Sequence, residues 1–135
     1  MIDRIDHFVL TVRSLEATLA FYERVLGFKR EIAPGRAAAL RFGRQKINVH
    51  EVGRTFEPKA RHPTPGGGDF CLVTRRPMDE VVAQLAARGV TIEVGPVARH
   101  GAEGAMTSVY FRDPDDNLVE VSVYDGAAAG SPTTA

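Results

Sequence analysis

The sequence predicts an α+β fold of two βαβββ modules, their curved mixed sheets surrounding a cleft and their helices on the outer faces. Three observations lead there. A strand, a helix and three strands can be read over residues 1–53, and the same order returns over 68–126. The helix-ending glycines keep one spacing, Gly27 lying 20 residues after His7 and Gly89 lying 20 residues after Asp69. Between the halves, "RTFEPKARHPTPGGG" has three prolines and three consecutive glycines, which interrupt regular structure and mark a linker over 54–67. Residues 1–126 are therefore expected to form a single domain of two modules, followed by a disordered tail over 127–135.

Each element has its own signal. In "IDHFVLTV" the alternation puts Phe8, Leu10 and Val12 on one face of a strand. Ser14 is placed to cap a helix in which Leu15, Leu19, Tyr22 and Leu26 recur at helical spacing, and Gly27 ends it by accepting a left-handed conformation. Strands are expected over 29–33, 37–42 and 46–52, with turns at Pro34-Gly35 and near Gly43. In the second half "DFCLV" is a strand, and Pro77 opens a helix with Met78, Val81, Val82 and Leu85 on its apolar stripe. Further strands are expected over 91–97, 107–112 and 118–124, with "DPDDN", Asp113 to Asn117, as a tight turn.

Composition narrows the function. The 135 residues suffice for a sizeable core, and 44% are hydrophobic. Seventeen Lys and Arg balance 17 Asp and Glu, so no broad field draws the chain to nucleic acid or to a membrane surface. The single cysteine, Cys71, excludes an intrachain disulfide, suits a reducing compartment and, within "DFCLV", reads as a buried, inert thiol. With no leader pattern and no long apolar run, a cytoplasmic protein is expected.

Strand parity brings out four chemically capable groups. His7, His50, Asp69 and Glu120 all fall opposite the apolar set of their strands, and so avoid the helix-packed faces. Aligning "LRF" with "VYF" sets Arg41 against Tyr110, and aligning "NVHEV" with "LVEVS" sets His50 against Glu120. Two imidazoles and two carboxylates around one point would suit zinc, nickel, manganese, iron(II) or cobalt better than calcium. Taken singly, each is more often an ordinary polar residue of a strand. Arg41, Asn48, Ser108, Tyr110 and Arg112 share the same parity; an arginine fork there can pair with an anion, and Tyr110 can donate to a developing oxyanion. His62 and Arg99 fall in loop-like stretches, while Phe21, Tyr22 and Phe28 read as core anchors. No HExxH motif, phosphate loop or glycosidase carboxylate pair is present; "GGG" lacks the following Lys and Ser/Thr and precedes a strand.

The stretches "IDHFVLTV", "FYERVLGF", "FGRQKINVHEVGRTFEPKARHPTPG" and "SVYFRDPDDNLVEVSVY" resemble the vicinal oxygen chelate superfamily of glyoxalases, bleomycin-resistance proteins and extradiol dioxygenases. Within it they look like glyoxalase domain-containing protein 5 and bacterial virulence-associated relatives. The resemblance implies paired βαβββ modules, a homodimer, a small-molecule substrate and a divalent metal, with ligands at His7, His50, Asp69 and Glu120. It further implies Glu120 as the base of a glyoxalase-like lyase or isomerase. An extradiol-type dioxygenase and a noncatalytic small-molecule or metal-binding protein are the alternatives. Asp69 departs from the histidine common at its position.

Overall fold

A computed structural model describes residues 1–126; the expected disordered tail, 127–135, lies outside the described residues. The chain forms two compact units. Unit 1 holds Met1–Gly68 together with Asp113–Asn117, and unit 2 holds Asp69–Arg112 and the chain from Leu118 on.

In unit 1 the order is β1 (His7–Val12), α1 (Leu15–Leu26), β2 (Lys29–Glu31), β3 (Ala38–Phe42) and β4 (Gln45–Glu51). The Ser14 side chain accepts a hydrogen bond from the Ala17 amide, satisfying one of the free N–H groups of the first turn. Gly27 closes the helix in the left-handed region at φ 72°, where a side chain would be strained. The sheet order is β1-β4-β3-β2, with β1 parallel to β4 and the other pairs antiparallel. Leu10, Val12, Leu40, Ile47 and Val49 are buried on the side where α1 buries Leu19, Tyr22 and Val25. Tyr22 stacks on Phe28, which stacks on Phe42, at centroid distances of 5.6 and 4.5 Å. Each such buried side chain contributes about 1.5–3 kcal/mol.

The "DPDDN" turn joins this core. Asp113 is 5% exposed, and its carboxylate accepts from the Tyr22 hydroxyl at 2.8 Å, the Asn117 side-chain amide at 2.8 Å and the backbone amides of Asp115 and Asn117 at 2.9 and 3.0 Å. Asp115, also buried, accepts from the Arg13 amide and guanidinium, and Asn117 accepts from the Gly68 amide. Burial and the Asp113 carboxylate push the Tyr22 phenol far above its usual pKa, so it stays a donor.

Unit 2 repeats the order with β5 (Asp69–Val73), α2 (Met78–Ala87), β6 (Val94–Gly101), β7 (Gly104–Arg112) and β8 (Leu118–Tyr124). Its sheet order is β5-β8-β7-β6, again with one parallel pair. Val109, Phe111, Val119 and Val121 are buried, as are Val81 and Leu85 of α2. The β6–β7 hairpin is longer than the sequence pattern suggests, because "ARHGAEGAM" pairs through its backbone around a short turn without apolar alternation. At Gly95 a Cβ would collide with the Ser108 carbonyl, and the pairing register shifts between Val94 and Val97.

One expectation is corrected. The sheets do not curve around a cleft: both are open four-stranded sheets, neither closed nor strongly curled, each ending on an unpaired edge strand. Four strands are too few to close a sheet upon itself, and a sheet with a helix on one face is stable while it remains open.

Candidate functional site

The register places the functional side chains by face. In unit 1, His7, Val9 and Thr11 pair with Lys46, Asn48 and His50, so these six residues share the face opposite α1, joined by Ala39 and Arg41 of β3. In unit 2 the corresponding face carries Asp69, Cys71 and Val73 of β5, Leu118, Glu120 and Ser122 of β8, and Ser108, Tyr110 and Arg112 of β7. Each expected site residue thus lies on the sheet face opposite the apolar set of its strand, though His50 and Ser108 are buried there.

The counterparts within the repeat are different from those the sequence alignment gave. His7 pairs with Lys46 and Asp69 with Leu118, so stepping along β4 and β8 makes Asn48 the counterpart of Glu120 and His50 the counterpart of Ser122. Likewise Arg41 corresponds to Arg112, and Ala39 to Tyr110. Arg41 pairs with Glu31 at 2.9 Å and Arg112 with Glu93 at 3.0 Å, so both guanidinium groups lie in ion pairs along their sheets. A slip of two residues restores the same face, which is why the alternation could not reveal it.

In unit 2, Glu120 stands between Cys71 and Tyr110 as its cross-strand neighbours. Ser122 donates to Glu120 Oε2 at 3.1 Å, and its Oγ lies 2.6 Å from Ser108 Oγ and 3.1 Å from Cys71 Sγ. Ser108 is fully buried and acts on its surroundings through Ser122. The Tyr110 hydroxyl accepts from Arg99 Nε at 2.9 Å, and the guanidinium carbon lies 5.4 Å from the ring centroid. Arg99 is on β6, not in a loop.

Two readings change here. Cys71 is exposed rather than buried, because it shares the parity of Asp69 and Val73 and not that of Phe70 and Leu72. Desolvation of its sulfur raises the thiol pKa against the lowering effect of the Ser122 hydrogen bond, with Glu120 also raising it, so Cys71 is a poor nucleophile. Ser122 escaped the sequence reading, although its spacing from Glu120 in "VEVSVY" puts both on one face.

In unit 1, His7 Nδ1 lies 2.8 Å from Asp6 Oδ2, the carboxylate contact that commonly orients a metal-ligating imidazole and leaves its second nitrogen for the ion. That contact lowers the Asp6 pKa. His50 is 4% exposed, its Nδ1 has no partner, and the Phe56 ring stands 5.6 Å away. Burial, with Lys59 adding, lowers its pKa, favouring the neutral ring. Between the unfolded and folded pKa values the unfolded chain binds the extra proton, so His50 weakens the fold as pH drops below about 6.5. Thermal melts from pH 7.5 to 5 should show the wild type losing more stability than His50→Phe; equal slopes would refute that.

His7 and His50 start from backbones four residues apart on neighbouring parallel strands, roughly 13 Å along the sheet. An ion about 2.0–2.1 Å from each nitrogen is out of reach of that pair within one sheet. Asp69 and Glu120 are two residues out of step, roughly 7 Å, which carboxylates can span. Among the described residues no group of three His, Cys, Asp or Glu side chains is arranged to hold a metal ion. The donors suit a divalent ion by type, but no three of them are brought together among the described residues.

A repeated unit with a parallel pair, a helix behind it and polar groups on the open face defines a family, and the chain belongs to it. Residues 4–121 match the Glyoxalase/Bleomycin resistance protein/Dioxygenase superfamily. Virulence protein STM3117 of Salmonella typhimurium is 50% identical over 124 residues, 92% of this chain and 86% of that protein. Its crystal structure aligns with a TM-score of 0.90, covering 92% of this chain and 98% of that one. An integron cassette protein from V. Cholerae is 48% identical with a TM-score of 0.89, covering 93% of this chain and 98% of its own. A lactoylglutathione lyase from Agrobacterium tumefaciens is 28% identical with a TM-score of 0.70, covering 91% and 95%. No helix among the described residues is long and apolar enough to cross a membrane.

Proposed function

We propose that this protein is a metal-dependent lyase or isomerase of the glyoxalase type, a cytoplasmic homodimer acting on a small substrate with two adjacent oxygens. The observation that carries the reading is Glu120, set on an open face beside Tyr110 with one carboxylate oxygen held by Ser122. The likeness to a lactoylglutathione lyase supports the same class. His7, steadied by Asp6, is the donor that unit 1 would offer a divalent ion, and Asp69 with Glu120 are the donors that unit 2 would offer; His50 lies too far along the sheet from His7 to share an ion with it. When bound, such an ion supplies Lewis-acid polarisation of adjacent substrate oxygens.

The chain's own groups then divide the work. Glu120 takes a proton from one substrate carbon through Oε1 and returns it to the adjacent carbon, while Ser122 keeps Oε2 in place. Tyr110, oriented by Arg99, donates to the oxygen that gains charge. In unit 2, Ser108 fixes Ser122 through their hydroxyl contact and Glu93 holds Arg112; in unit 1, Asn48 and Arg41, the latter paired with Glu31, are the groups that would contact a substrate.

The metal-loaded protein should be offered the hemithioacetal of glutathione and, separately, catechol, with product formation and oxygen uptake followed together. Isomerisation of the hemithioacetal without oxygen uptake is expected. Oxygen uptake with catechol alone would replace the reading by a dioxygenase, and tight binding without turnover of either by a binding protein.

A further inference from the structure

Three buried side-chain polar atoms among the described residues lack a hydrogen-bond partner: Thr18 Oγ1, Asn48 Oδ1 and His50 Nδ1. Thr18 is isolated on α1. Asn48 and His50 are two residues apart on β4, both on the open face of the unit 1 sheet. Their unit 2 counterparts, Glu120 and Ser122, satisfy each other, the serine donating to the carboxylate at 3.1 Å. The same two positions are thus hydrogen-bonded to each other in one unit and unmet in the other.

An unmet buried polar atom destabilises a fold, and native proteins keep few of them. The surroundings describe what would meet these two. Val9 and Ala39 flank Asn48 across the strands, Thr11 flanks His50, and Phe56 stands against the imidazole, so the neighbours are mostly apolar. The nearby Lys59 ammonium already pairs with Glu57. No free charge calls for an ion. Asn48 Oδ1 accepts only, whereas His50 Nδ1 accepts or donates according to its tautomer. A hydroxyl is the group that suits both, since it donates to the amide oxygen and takes either role toward the imidazole. Two hydroxyls on one hydrocarbon frame would supply a partner for each atom, and the frame would suit the apolar neighbours Val9 and Phe56.

We infer that Asn48 and His50 form a binding subsite for an uncharged, dihydroxylated small molecule, with His50 contacting ligand and not metal. The inference rests on the catalytic reading above for its relation to turnover, but its test is independent of metal and of activity. Metal-free, full-length protein labelled with ¹⁵N is titrated with resorcinol and, in parallel, with 1,3-dimethoxybenzene, which keeps the ring and loses both donors. The imidazole nitrogens of His50 and the side-chain amide of Asn48 should shift saturably with resorcinol and not with its ether. Asn48→Leu and His50→Phe should each abolish the saturable shift at the remaining partner and, without ligand, melt a few degrees above the wild type, because each removes an unmet polar atom. A lack of saturation in the wild type, as a trapped water would give, overturns the inference. So does an equal response to the ether, or a lower melting temperature in both variants. Loss of hemithioacetal turnover in the separate assay would defeat the catalytic reading and leave this result standing.

Discussion

Asp113→Ala is expected to be the most destabilising single change considered, costing about 3–5 kcal/mol, a large part of the 5–15 kcal/mol typical of a domain. Its carboxylate is the common acceptor for the Tyr22 hydroxyl, the Asn117 side chain and two backbone amides. Removing it leaves the fully buried Tyr22 and the nearly buried Asn117 with donors and no acceptor. The midpoint of thermal unfolding should fall by about 15 °C. Tyr22→Phe, which removes one donor and keeps the rest, should cost about 1.5–3 kcal/mol. A loss below about 1 kcal/mol for Asp113→Ala would show that this network is not what anchors the turn.

The largest expected effect on activity is at Glu120. Glu120→Gln keeps the shape and the Ser122 contact but removes both the base and an anionic metal ligand, so turnover of a substrate that the wild type converts should fall at least about 10²–10⁴-fold. Its unfolding midpoint should stay close to the wild type, since Glu120 is only partly buried. Tyr110→Phe should lower turnover less, because it removes a donor to developing charge and leaves proton transfer in place. Retained activity in Glu120→Gln would transfer the base to another residue.

The element order was legible because it rests on local chemistry: Ser14 at the helix cap, Gly27 and Gly89 after the helices, and apolar residues at periods of two and 3.6. The face of each site residue was legible for the same reason. What alternation cannot specify is a register slip of two, and that slip led His50 to be matched with Glu120 when the pairing matches Asn48 with it. Sheet shape was beyond reach as well, since curvature arises from tertiary packing. The "DPDDN" segment read correctly as a turn, but nothing local announces that Asp113 will be buried against Tyr22, 91 positions away in the chain. Arg99 was misplaced into a loop because "ARHGAEGAM" carries no strand alternation, so its contact with Tyr110 had no sequence signal.

His7 in unit 1 and Glu120 in unit 2 are proposed as metal ligands, and His50 is not. Metal content per chain, after purification and equilibration with a divalent ion, separates these roles when compared between the wild type and His7→Ala, Glu120→Gln and His50→Phe. A bound ion is expected in the wild type and in His50→Phe, and its loss in His7→Ala and Glu120→Gln. Wild-type protein without metal, or full metal content in both His7→Ala and Glu120→Gln, would contradict this assignment.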